Sequence, residues 1–121
     1  MFRILFLTAV ACIPRTSFST TTKAMALSAV DFEVFGRVQG VFFRKFTKQE
    51  ADKLGIRGWC MNTSQGTVLG HMQGTGEKVE EMMGWLRTKG SPSSEIRKAE
   101  FRNQQVISGY SFNEFSIRKD L

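Results

Sequence analysis

The chain reads as an α+β domain in which an antiparallel sheet carries two helices on one face, and three observations support that reading. Short stretches that alternate polar and apolar residues are interleaved with two stretches whose apolar residues recur at helical spacing. Their order is strand, helix, strand, strand, helix, strand, with an extra strand at the C-terminus. A length of 121 residues with 41% hydrophobic and 23% charged residues supports one modest core and leaves no room for a second domain.

The first strand is expected over 31–38, with Phe32, Val34 and Val38 on one face and Glu33, Phe35 and Arg37 on the other. A helix follows at once, because Phe42, Phe43, Phe46, Ala51 and Leu54 recur at roughly helical intervals while Lys45, Lys48, Glu50, Asp52 and Lys53 form a wet side. Gly55 is placed to cap its C-terminus. Two short strands, 56–61 and 67–73, flank a hairpin loop of turn-forming residues from Asn62 to Gly66. Val68, Gly70 and Met72 share one face of the second. Val79, Met82, Met83 and Leu86 fall at i, i+3, i+4 and i+7, with Glu77, Glu80 and Glu81 near the positive end of that helix. The run Gly90-Ser91-Pro92-Ser93 breaks the pattern, and strands are expected over 98–106 and 110–117. This order matches the ferredoxin-like split βαββαβ sandwich.

The composition narrows the chemistry. Of the formal charge of +6, three units come from Arg3, Arg15 and Lys23, which precede the first acidic residue, Asp31, so the remainder carries only +3. That mild excess suits a small anionic substrate and falls short of the dense basic stripe that nucleic acid calls for. Two cysteines, Cys12 and Cys60, and one histidine, His71, provide neither a disulfide framework nor metal-ligand spacing, so no metal and no cofactor is expected. Cys60 reads as a small core or strand residue, and His71, alternating with Leu69 and Gln73, as structural. Residues 1–28 read as an N-terminal extension, disordered or cleaved, ahead of a domain over 29–121. The apolar run Ile4 to Ile13 fits a secretory signal, and the Ser/Thr-rich, acid-free stretch around Arg15 fits a mitochondrial transit segment. A start at Met25 instead leaves a cytoplasmic protein. No stable membrane insertion is expected, since the apolar run is too short to span.

The stretch Gly36-Arg37-Val38-Gln39-Gly40-Val41-Phe42-Phe43-Arg44 is the most informative in the chain. Two glycines four apart allow a sharp turn from strand to helix, so that the N–H groups of Gln39, Gly40, Val41, Phe42 and Phe43 converge at the positive end of the helix. Arg44 adds a permanent charge with a planar fork suited to phosphate oxygens. Taken by themselves the same residues fit a tight turn with an exposed arginine, and the glycines match neither common nucleotide signature. Asn62, at the start of a hairpin loop, fits a turn former or a group that orients water without titrating.

Together with Gly58-Trp59-Cys60-Met61-Asn62-Thr63, Gly66-Thr67-Val68, Trp85-Leu86, Gly90-Ser91-Pro92-Ser93-Ser94 and Phe115-Ser116-Ile117-Arg118, this stretch closely resembles the acylphosphatase family over essentially everything after residue 30. The resemblance implies the same fold and a metal-independent enzyme that hydrolyses the carboxyl–phosphate bond of small acyl phosphates, such as acetyl phosphate or 1,3-bisphosphoglycerate. It places catalysis on Arg44 and Asn62, substrate binding on the backbone of Gln39, Gly40, Val41, Phe42 and Phe43, and loop shaping on Gly36 and Gly40. Thr63 is a supporting candidate. A monomer is the default. The alternative is a non-catalytic ferredoxin-like module for RNA or phosphorylated proteins, although an RNA-binding sheet carries its aromatic signature on a central strand and this one opens a helix.

Overall fold

The computed structural model describes residues 26–119, so the expectations for the extension up to residue 25, and the last two residues of the expected domain, fall outside the described residues. Strand β1 runs Leu27–Arg37, helix α1 Phe43–Leu54, β2 Arg57–Asn62, β3 Val68–Thr75, helix α2 Gly76–Thr88, β4 Glu95–Val106 and β5 Phe115–Ile117. The sheet order is β4-β1-β3-β2-β5. β1 lies antiparallel between β3 and β4, and β2 is antiparallel to β3, as a split βαββαβ topology requires. The extra strand β5 runs parallel to β2, so the sheet is mixed and not wholly antiparallel as expected.

The helices cover one face, with α1 over β2 and β5 and α2 over β1, β3 and β4. Phe32, Val34, Val68, Met72, Val79, Met82, Leu86 and Phe115 are buried between the layers. Each such side chain contributes about 1.5–3 kcal/mol by leaving water. The α2 pattern read from the sequence holds throughout: Val79, Met82, Met83 and Leu86 are its buried residues, and Thr75 caps it by accepting a hydrogen bond from the Lys78 N–H.

The α1 pattern differs at its start. Its buried stripe is Phe43, Thr47 and Ala51, at i, i+4 and i+8. Phe42, expected in the core, is the N-cap in left-handed conformation and its ring faces solvent. Thr47 is accommodated by donating its hydroxyl to the Phe43 carbonyl at 2.8 Å. Gly55 does cap the helix, in left-handed conformation.

β1 begins four residues earlier than expected, so Leu27 and Ser28, assigned to the extension, are strand residues paired with β3. β4 likewise begins at Glu95 and not at 98. At the C-terminus, 110–114 form no strand, because side chains satisfy that loop in place of a ladder. Gln73 Oε1 accepts from the Ser111 N–H at 2.8 Å, and the Arg57 guanidinium stacks 3.7 Å from the Tyr110 ring centroid.

The uncovered face of the sheet is laced with polar contacts. Asp31 pairs with His71 at 2.6 Å, and Glu33 with Arg102 at 2.8 Å. Gln73 Nε2 donates to His71 Nε2, which leaves His71 Nδ1–H to donate to Asp31. This is the structural role expected of His71. Among the described residues no helix is long and apolar enough to cross a membrane.

Candidate active site

β1 delivers the chain to the turn at Arg37, and Val38 drops into the core. Gly40 then takes φ 75° and Phe42 φ 59°, two left-handed residues that bracket Val41 and reverse the backbone before α1. Gly40 has open space around its Cβ position, so its backbone angle, not crowding, is what calls for glycine. Gly36, at φ 127°, has a further requirement besides its backbone angle. It lies within β1, beside a register shift against β4, and a Cβ there would stand 2.1 Å from the Glu95 carbonyl oxygen. Its lack of a side chain lets two strands approach, where the sequence reading had it shaping the loop.

α1 opens with an exposed positive end. Phe42 makes no side-chain cap bond, and the first turn holds no acidic residue. Among the described residues no backbone carbonyl accepts from the N–H groups of Gln39, Gly40, Val41, Phe42 or Phe43. Such a turn concentrates donors and partial positive charge at one point. Arg44 and Lys45 follow in the first turn of α1.

These elements enclose a pocket of about 320 Å³, lined by Val38, Gly40, Phe42, Phe43, Arg44, Lys45, Asn62 and Ile117. Its volume is at the small end of small-molecule sites, roughly 300–1,000 Å³, and suits a compact anion with a short attached group. Asn62 ends β2 and is only 7% exposed, and its Oδ1 accepts no hydrogen bond from any described residue. A buried acceptor without a protein partner is uncommon and marks a place for a polar guest.

Gln39 ties the two halves of the site together. Its Nε2 donates to the carbonyls of Thr63 and Thr67, at 2.9 Å each, and so fastens the β1–α1 turn to the turn after Asn62. Thr63 belongs to that second turn: its Oγ1 accepts from the N–H groups of Gln65 and Thr67, both at 3.3 Å. The Thr67 hydroxyl donates to Glu33 Oε2 at 2.7 Å, so in the 2.7 Å contact between the two threonine hydroxyls Thr63 is the donor. The hydrogen bond from Thr67, and then that from Arg102, hold the Glu33 carboxyl below its ordinary 4.5.

Cys60, two residues before Asn62, is fully buried, and burial pushes its thiol up to about 12 despite the Arg44 and Lys48 charges nearby. It is a core residue and no nucleophile. Among the described residues no group of three or more His, Cys, Asp or Glu side chains is placed to hold a metal ion.

Of the residues singled out in the sequence, Gly40, Phe42, Phe43, Arg44 and Asn62 come together around the pocket. Gln39, Val41, Thr63 and Gly36 do not line it: Gln39 and Thr63 hold the turns, and Val41 packs against the core. Sequence reasoning missed the side-chain role of Gln39 and the contribution of Ile117, which arrives from the far end of the chain. It also missed Lys45, although a second basic residue beside Arg44 was in plain view.

A split βαββαβ sheet with a pocket that gathers Arg44, Lys45 and Asn62 at its first strand-to-helix turn defines a small α+β domain of the ferredoxin-like class. The model of the family described as acylphosphatase matches residues 30–117. The chain is 55% identical over 91 residues to acylphosphatase-1 of Xenopus tropicalis, covering 75% of this chain and 93% of the relative. It is 54% identical over 101 residues to acylphosphatase-2 of Gallus gallus, covering 83% and 98%. The crystal structure of acylphosphatase from Bacillus subtilis superposes with a TM-score of 0.69 at 31% identity, covering 75% of this chain and 98% of that one. The chain belongs to the acylphosphatase family and is an enzyme, a hydrolase acting on acid anhydrides. These relatives do not favour the reading as a non-catalytic binding module.

Proposed function

We propose that the pocket hydrolyses small acyl phosphates, with the phosphoryl group held by the backbone turn at Gly40, Phe42 and Phe43 and by Arg44, and the attacking water oriented by Asn62. The single observation that carries this is the buried, unpartnered Asn62 Oδ1 in the same small pocket as Arg44 and the open end of α1. Water oxygen bonds to phosphorus, the bond from phosphorus to the bridging oxygen breaks, and the acyl group departs as a carboxylate. Both protons of the water remain on the phosphate, so the dianionic substrate yields one carboxylate and dihydrogen phosphate with no external base in the balance. The carboxylate is already a good leaving group, and the protein's task is to hold the anion and place the water. Fixed N–H donors and a guanidinium stabilise the charge on the phosphoryl oxygens without reorganising. Asn62 accepts from the water through Oδ1 and stays in one charge state across the working pH range.

Metal independence is part of the same proposal, since a carboxylate leaving group with a fixed guanidinium on the phosphoryl oxygens asks for no Lewis acid. Undiminished turnover in excess chelator is the expected result. We place a chain started at Met25 in the cytoplasm, as a monomer; cell fractionation and sedimentation of the mature protein read both.

The test is Asn62→Ala. Misplacing the water costs about 100-fold in kcat. The inhibition constant for inorganic phosphate should move less than about threefold, because the anion's donors remain. Loss of phosphate binding with kcat intact would reverse the assigned role.

A further inference from the structure

The side-chain amide of Gln73 has one orientation open to it, and that orientation fixes the state of His71. Gln73 is buried at 4% exposure between two partners on the uncovered side of the sheet. The backbone N–H of Ser111 can only donate, so the Gln73 oxygen is the atom that meets it at 2.8 Å. The amide nitrogen then lies 3.0 Å from His71 Nε2, and an NH2 group also can only donate. His71 Nε2 must accept, which requires a neutral ring that carries its proton on Nδ1 and donates it to Asp31 Oδ1 at 2.6 Å. A protonated ring has an N–H on both nitrogens, so two donors would face each other at Gln73. Turning the amide over satisfies His71 and sets the NH2 group against the Ser111 N–H. A hydrogen bond from a charged ring is stronger than one from a backbone N–H, so Ser111 is where the loss falls.

Ser111 lies in the link between β4 and β5. The link is otherwise tied by Arg57, which stacks on Tyr110 and donates to the Phe112 carbonyl at 3.4 Å, and by the Gly58 N–H on the Glu114 carbonyl at 3.1 Å. It leads directly into the three residues of β5, whose Ile117 lines the pocket with Arg44 and Asn62.

The charged groups around the ring come from three strands. Asp31 on β1 holds Nδ1, and Arg102 on β4 pairs with Glu33 at 2.8 Å and acts on Asp31 as well. On β2, Arg57 is opposite Gln73, and Trp59, opposite His71, carries the Arg118 guanidinium 4.2 Å from its ring centroid. The Phe112 ring packs 5.7 Å from the imidazole. Burial works to raise the Asp31 carboxyl, but the hydrogen bonds from Asn103 and His71 outweigh it and hold the group below its ordinary 3.8, so Asp31 stays charged over the range in which imidazoles titrate.

We propose that His71 is a pH-sensitive latch: its protonation frees the Ser111 N–H from Gln73 and loosens the link that seats Ile117 in the pocket wall. The experiment follows the His71 ring and the Ser111 amide by NMR in the full chain from about pH 8 to about pH 5, with His71→Gln and Gln73→Met alongside. In the wild type the Ser111 amide should shift with the midpoint of the ring, and its protection factor should be about fivefold lower on the acid side, as the loss of one hydrogen bond requires. In His71→Gln, which has no charge to gain, Ser111 should be indifferent to pH. Gln73→Met removes the acceptor, so Ser111 should be unprotected at both ends of the range; this variant covers the case in which His71→Gln fails to fold. The kcat/KM of the wild type for benzoyl phosphate, divided by that of a folded variant at the same pH, should fall about twofold through the same midpoint. A Ser111 amide that ignores the titration of the ring, a ring that stays neutral down to about pH 5, or a Ser111 change that persists in His71→Gln overturns the latch. A flat activity ratio overturns its reach to the pocket.

Discussion

Replacing Gln39 separates the two halves of the site without touching a phosphate donor. Its side-chain amide donates to two carbonyls at 2.9 Å, and each retains another partner when it is gone: Thr63 O still accepts from the Gly66 N–H, and Thr67 O from the Thr63 N–H. Neither carbonyl is orphaned, so Gln39→Ala should cost about 1–2 kcal/mol for the pair, near the lower range for net hydrogen-bond contributions. For a domain of this size that lowers Tm by about 5–12 °C. The catalytic loss should exceed the loss of stability, since Asn62 and the turn no longer share a fixed spacing; kcat should fall at least about tenfold at a temperature where both proteins are folded. Gln39→Glu sharpens the test. The carboxylate has the same shape, but it brings acceptors against two carbonyls and should be no more stable or active than the alanine variant. Thermal melts and steady-state hydrolysis of benzoyl phosphate read both effects. A Glu variant matching the wild type, or an Ala variant with unchanged kcat, would show that the Gln39 bridge does not position the site.

Three further outcomes follow from the same geometry. The Glu33 carboxyl is held low in the folded state, so its stabilisation is fully present above the ordinary value of 4.5 and is lost as pH falls through the depressed one. Urea midpoints measured between pH 6 and 2 should fall steeply below about pH 4.5 in the wild type and less steeply in Glu33→Gln; parallel curves would remove Glu33 from the account. The Cys60 thiol, pushed up to about 12 by burial, should stay unalkylated by iodoacetamide at pH 8 until denaturant is added, and peptide mapping that finds Cys60 modified in the folded protein would contradict its core position. In Gly36→Ala the new Cβ meets the Glu95 carbonyl oxygen at 2.1 Å and the Arg97 nitrogen at 2.7 Å, both backbone, so about 3 kcal/mol of stability should be lost. A midpoint unchanged in urea would show that β1 and β4 part without cost.

The sequence made the sheet and α2 legible because periodicity reports burial directly: Val79, Met82, Met83 and Leu86 had no other face to occupy. It misplaced Phe42 because spacing presumes helical backbone, and one residue in left-handed conformation at the N-cap turns a core position outward. It extended the last strand from 115 back to 110 because Tyr110 and Phe112 look like strand residues, whereas a guanidinium stacked on one ring and the Gln73 side chain serve that loop instead. The cradle residues were legible as a local glycine pattern followed by arginine. What brings Asn62 and Ile117 to them is the pairing of β2 with β5 and the Gln39 bridge, contacts across more than twenty residues that no local pattern encodes.

If Arg44 and the backbone turn hold the phosphoryl group, removing the guanidinium must weaken turnover and phosphate binding together. Hydrolysis of benzoyl phosphate and inhibition by inorganic phosphate would be followed in parallel for the wild-type chain, Arg44→Ala and Arg44→Lys, with chelator present throughout. Arg44→Ala should lose at least about two orders of magnitude in kcat/KM and weaken phosphate inhibition. Arg44→Lys, with the charge but not the planar fork, should recover only part of each. Near-normal turnover and phosphate affinity in Arg44→Ala would contradict the account.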